Sequence, residues 1–178
     1  MKPDSVVSTL SAAHIEANIA SLSQLLNDCV NDGASVGFMW PMTGEKAHNF
    51  WRGVAESVAR EERVVLIASD TKGNIAGTVQ LIVKQPENQP HRADVAKLLV
   101  SPDARRKGIA QQLMAYLEQL AALRNKSVLT LDTATGSGAE SFYQQAGWLR
   151  VGDIPAYALM PDGAVCATTW YYKHLNIK

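Results

Sequence analysis

Val95-Ala96-Lys97-Leu98-Leu99-Val100-Ser101-Pro102-Asp103-Ala104-Arg105-Arg106-Lys107-Gly108-Ile109-Ala110 reads as a strand that breaks at Ser101-Pro102 and then, past three cations, opens a helix. The first turn of a helix leaves N–H groups unpaired and carries the positive end of the macrodipole, so Arg105, Arg106 and Lys107 stand at its unfavourable end. An anion held there offsets the cost. Gly108 and the small Ala110 let a bulky phosphate approach the backbone, so amides from Arg106 to Ala110 can cradle a pyrophosphate. The competing reading is a solvated basic turn. Neither G-x-x-x-x-G-K-[ST] nor a G-x-G-x-x-G following a strand is present, which argues against ATP and NAD.

Downstream of this stretch, Ile109, Leu113, Leu117 and Leu120 recur at helical spacing over 108–124. A short buried strand is expected over 128–133 and a short helix over 139–146, stopped by Gly147. The region 149–174 reads as a terminal hairpin around Pro161-Asp162-Gly163. Upstream, 93–100 is a long strand, and 64–70 and 75–84 are β-branched runs joined by Thr71-Lys72-Gly73-Asn74, a hairpin signature. Before them, Ile15, Ile19, Leu22, Leu26 and Cys29 predict one amphipathic helix ending near Asn31-Asp32-Gly33. A second helix, capped by Thr43, has Ala47, Phe50, Trp51, Val54 and Val58 as its stripe. The 178 residues form one expected domain, and its class is α/β (α+β).

Bulk composition mainly excludes. Seventeen basic residues balance seventeen acidic ones, so no global field draws the chain to nucleic acid or an anionic membrane, and any charge-driven site is local. No leader-like or membrane-spanning stretch is seen, and a soluble cytoplasmic protein is expected. Cys29 and Cys166 have no disulfide or zinc spacing and read as structural, and four scattered histidines give no metal site. Nothing decides between a monomer and a homodimer.

Arg105-Arg106-Lys107-Gly108-Ile109-Ala110 after Lys97-Leu98-Leu99-Val100 resembles the [RQ]-x-x-G-x-[GA] coenzyme A signature of GNAT acyltransferases, and the order of elements resembles that superfamily over nearly the whole chain. The resemblance implies a central mixed, mostly antiparallel sheet of about seven strands flanked by helices. It also implies a bulged, splayed strand whose Leu98, Leu99 and Val100 pair with the pantetheine arm, while Arg105 to Ala110 take the pyrophosphate. The implied activity is transfer of acetyl from acetyl-CoA to an amine. Segments 33–39, 131–133 and 139–143, with Pro155-Ala156-Tyr157 and Pro161-Asp162-Gly163, are similar to the tabtoxin-resistance branch, which implies a small-molecule acceptor such as a toxin or antibiotic.

Direct transfer needs a neutral amine, a route for its proton, donors for the oxyanion and an acid for the thiolate. The resemblance makes Tyr143 the acid and a cofactor-binding residue, against the alternative of an aromatic packed beside Phe142. Asp94 is implied as base, directly or through water, or as a partner of the substrate ammonium; it can also be a plain surface carboxylate. Asp132 either deprotonates or holds the amine, or caps residues 133–136. An amide of Leu99 or Val100 is the implied oxyanion donor. Ser35, Phe38, Trp40 and Tyr157 are expected, with Asp94 and Asp132, to wall the substrate site, whereas Trp51 reads as core. A noncatalytic acyl-CoA sensor, an aminoglycoside acetyltransferase and a protein or peptide acetyltransferase are the alternatives.

Overall fold

The computed structural model describes residues 5–177. Its elements are β1 (Ser5–Leu10), α1 (Ala12–Ala17), α2 (Ile19–Asn31), α3 (Gly44–Ala59), β2 (Arg63–Asp70), β3 (Ile75–Ile82), β4 (Arg92–Val100), a short 3-10 turn (Pro102–Ala104), α4 (Ile109–Leu123), β5 (Val128–Ala134), α5 (Ala139–Gln145), β6 (Leu149–Leu159) and β7 (Val165–His174). The seven strands form one sheet in the order β1-β2-β3-β4-β5-β7-β6, antiparallel at every pairing except β4 with β5. This is the α+β arrangement expected of the sequence.

Two local features depart from the sequence reading. The single helix predicted across Ile15 and Cys29 is two, broken at Asn18. The Asn18 amide group donates to the His14 carbonyl at 2.8 Å, competing with the helical ladder where asparagine most readily does so. The second departure is β1, which pairs antiparallel with β2 from Ser5↔Asp70 to Leu10↔Val65. Its edge position leaves Val6 exposed, so it lacks the apolar alternation that marks a strand. The second helix was anticipated correctly: Thr43 Oγ1 accepts from the Lys46 amide at 3.2 Å, and Ala47, Trp51 and Val54 are buried.

The sheet separates two apolar cores. Val64, Leu66 and Ala68 of β2 face the core that includes α4, and Val65 and Ile67 face the one built on α1–α3. In β4 the alternation is interrupted. Gln80 is opposite Ala96 and Thr78 opposite Leu99, so Lys97 and Leu98 share one partner position, and Lys97 takes φ +55°. The extra residue switches faces: Ala93 and Val95 belong to the α4 core, but Leu99 belongs to the α1–α3 core. The bulge thus sets which side chains and backbone groups of 97–100 are available at the strand's other edge.

Gly77 on β3 sets the seat of α4. A Cβ there would lie 2.9 Å from Ile109 Cγ2 and 3.0 Å from the Leu99 carbonyl oxygen. The first turn of α4 consequently packs almost directly on β3, and the loop that precedes it is held against the end of β4.

Candidate active site

β4 and β5 pair only at Arg92↔Val128, Ala93↔Leu129 and Asp94↔Thr130. Beyond that junction neither strand hydrogen-bonds the other. The closed end is pinned by Asp94, whose Oδ1 takes bonds from Arg92 and Thr130 and whose Oδ2 accepts from Gln85 at 2.9 Å. The open end forms a cleft of about 370 Å³ lined by Val95 to Leu98 of β4, Leu131 to Ala134 of β5, Ser35 to Gly37, Tyr143, Tyr157, Ala158 and Cys166 to Thr168. A second cavity of about 250 Å³ follows the β4 edge past Leu98, Leu99 and Val100 to Arg105, Ala110 and Phe142. Leu98 lines both, so they outline a path from the cleft to the loop before α4.

In that loop Arg106 has φ +62° and Gly108, the residue before α4, has φ +76°. The first helical bond at this end runs from the Gln112 amide to the Gly108 carbonyl at 3.0 Å. The amides from Arg106 to Ala110 find no acceptor among the described residues, which is the open donor set that a pyrophosphate requires. The side chains divide. Arg105 is ion-paired with Asp32, whereas Arg106 and Lys107 are exposed and make no ion pair among the described residues. Arg105 therefore ties the loop to the end of α2, and its two neighbours stay exposed.

Tyr143 lies on α5 and is only 6% exposed, its ring packed edge-on against Phe142 and Trp148 at centroid distances of 5.2 and 6.0 Å. The packing expectation is met, because the ring lies in the core; its hydroxyl has no hydrogen-bond partner among the described residues. Burial, with a smaller contribution from the Asp132 charge, pushes the phenol up to about 12. It keeps its proton over the whole range in which proteins work. Asp132 is exposed to the cleft and accepts from Thr168 Oγ1 at 2.7 Å. It does not bond to 133–136, so it does not act as the cap that was its alternative role. Asp94 lies outside the cleft lining, in the adjoining cavity with Arg92, Asp132 and Trp170, and its oxygens are already engaged.

Of the expected substrate wall, Ser35 and Tyr157 line the cleft. Tyr157 is 49% exposed and stands where β6 bulges, between Ile154↔Thr168 and Ala158↔Cys166. Phe38 and Trp40 do not line it. Phe38 packs edge-on against Phe50 at 5.3 Å, and the Trp40 indole donates to the Val30 carbonyl at 2.9 Å. The loop still reaches the hairpin, because the Trp40 amide donates to the Pro161 carbonyl at 2.9 Å. Trp51 is fully buried, in agreement with its core reading. The sequence reading missed Lys97 and Cys166 as lining residues. Lys97 was hidden inside an otherwise apolar strand, and only the bulge brings it to the cleft. Cys29 is buried, its thiol donating to the Val100 carbonyl at 3.4 Å and pushed up to about 11 by burial.

No helix among the described residues is long and apolar enough to cross a membrane, and no cluster of metal-ligating side chains occurs among them. Residues 19–148 match the Acetyltransferase (GNAT) family. Among solved structures, an N-acetyltransferase from Staphylococcus aureus is 16% identical with TM-score 0.79, covering 97% of this chain and 99% of its own. A ribosomal-protein-alanine N-acetyltransferase from Brucella melitensis is 21% identical with TM-score 0.77, covering 96% and 99%. A Salmonella typhimurium protein, proposed to be an acetyltransferase and solved with its cofactor acetyl-CoA, is 15% identical with TM-score 0.77, covering 97% and 94%. The splayed parallel junction, the open amides before α4 and the match over 19–148 together establish that the chain belongs to the GNAT family, as an acetyl-CoA-dependent N-acetyltransferase.

Proposed function

We propose that the acceptor is an amine on a small molecule, acetylated directly in the cleft between β4 and β5. The observation that carries this reading is the meeting of Tyr143 and Asp132 in one cavity of about 370 Å³ that the 35–37 loop and the β6 bulge wall in. In this reading the amides of 106–110 hold the pyrophosphate with Arg106 and Lys107, Leu98 to Val100 guide the pantetheine arm, and an amide of Leu99 or Val100 receives the carbonyl oxygen. The amine lone pair attacks the thioester carbon, the carbon–sulfur bond breaks, and Tyr143 donates to the departing sulfur. Asp132 holds the amine and takes its proton, directly or through water. Asp94, with both oxygens engaged, keeps the strand junction closed and meets the amine only through water.

A toxin or antibiotic amine of the tabtoxinine-β-lactam type fits a cavity of this size. Two observations bear on the alternatives. An aminoglycoside carries several positive charges, and the cleft offers it one carboxylate beside the cation Lys97. A peptide needs an open groove, and the Trp40–Pro161 bond joins the loop to the terminal hairpin near this wall. The test is thiol release from acetyl-CoA across amino acids, β-lactam amino acids, aminoglycosides, polyamines and short peptides, with product masses measured. A small amine gaining one acetyl group is the expected result; transfer confined to peptides refutes the reading, and tight coenzyme A binding without transfer favours a sensor.

A further inference from the structure

Among the described residues, Lys97 and Asp132 are the only formally charged side chains that line the cleft. They do not pair with each other. Asp132 accepts from Thr168, and the Lys97 ammonium has no hydrogen bond or ion pair among the described residues. The nitrogen lies 5.9 Å from the Phe50 ring centroid and 3.6 Å from where a Cβ on Gly37 would stand. Burial and then the Arg63 charge push this ammonium below its ordinary value, while Asp132 draws it back up. Lys97 is half-buried and leaves the strand at the left-handed bulge. An unpaired cation and an unpaired carboxylate on the walls of one small cavity are complementary to a zwitterion.

We propose that Lys97 binds a carboxylate of the acceptor, so that the substrate class is small amino acids and their analogues, with the ammonium end at Asp132 and the carboxylate end at Lys97. The proposal rests on the reading of the cleft as a small-amine site. A carboxylate at Lys97 supplies the charge-assisted bond that the ammonium lacks and offsets its desolvation. The same residue repels polycationic amines. A purely structural role accounts poorly for it, since a methionine would fill the same space against Phe50 with no charge to desolvate.

The experiment uses the full chain with acetyl-CoA and a panel of L-amino acids, each matched with its carboxamide and its decarboxylated amine. The wild type is expected to favour carboxylates over carboxamides by about tenfold to a hundredfold in kcat/KM, the scale of one charge-assisted bond. Lys97→Met should erase that preference mainly through KM, with acetyl-CoA affinity kept and a melting temperature no lower than wild type. Lys97→Arg should restore most of the preference. Equal use of carboxylates and carboxamides by the wild type overturns the proposal alone, as does a Lys97→Met enzyme that loses kcat yet keeps the preference. No transfer to any small amine overturns it together with the reading of the cleft.

Discussion

At the scale of the residue, Tyr143 combines two environments. Its ring is locked among Phe142, Trp148 and Tyr171, and the residue lines the cleft with a hydroxyl that has no hydrogen-bond partner among the described residues. Removing only the oxygen leaves the packing intact, so Tyr143→Phe should fold with an unchanged melting temperature and bind acetyl-CoA normally. If the phenol serves the departing sulfur, kcat falls by about a hundredfold, as expected for loss of a general acid. Stopped-flow thiol release and calorimetric binding separate the two quantities, and an unchanged kcat rules out the assignment. The pH profile adds a second check. Because the folded-state value is raised to about 12 from an ordinary 10.0, the neutral phenol favours the folded state fully below the ordinary value. That contribution is lost as pH rises through the upper one. The rate therefore has no descending limb from Tyr143 in the neutral or mildly alkaline range, and any limb seen there belongs to another group.

At the scale of the element, the site is made by how β4 and α4 are seated. Gly77 admits the first turn of α4 against β3, with Ile109 and the Leu99 carbonyl already in contact distance of any added methyl. Gly77→Ala should cost about 1–3 kcal/mol by overpacking and lower the melting temperature by roughly 3–10 °C. It should also weaken acetyl-CoA binding, because the displaced turn carries the open amides. A variant that loses stability without losing affinity would show that the loop and helix are not coupled in this way. Much of this scale was legible in the sequence. The strand–break–cation–helix order was legible, since proline, glycine and charge each have a local meaning. The Lys97 bulge was implied only through the resemblance, because a bulge depends on the register of the neighbouring strand. Its effect on Lys97 was not readable, as a lone lysine within an apolar run carries no period. Likewise the role of Asp94 depended on Gln85, whose loop folds back onto β4, and on Thr130, which approaches only when β4 meets β5.

At the scale of the whole molecule, charge balance leaves the proposed anion loop to act on its own. With seventeen positive and seventeen negative side chains, the protein has no net field to attract a polyanion such as acetyl-CoA. In the proposed reading, attraction comes from the loop itself. Arg105 is already neutralised by Asp32, which leaves exposed Arg106 and Lys107 and the amides behind them. Exposed charges are screened over a Debye length of about 8 Å at physiological ionic strength, whereas backbone amides in close contact with a phosphate are screened much less. Acetyl-CoA affinity should accordingly weaken as salt rises, with a slope set by those two side chains. In Arg106→Ala/Lys107→Ala, binding should be weaker at low salt and its salt dependence nearly flat, converging on the wild type at high salt where only the amides still act. Arg105→Ala should instead change stability more than slope, since it removes the tie to α2. Calorimetric titration from low to high ionic strength reads both quantities at once. A double variant that keeps the wild-type slope would mean that cations elsewhere on the molecule meet the phosphates, and that the loop before α4 contributes its backbone alone.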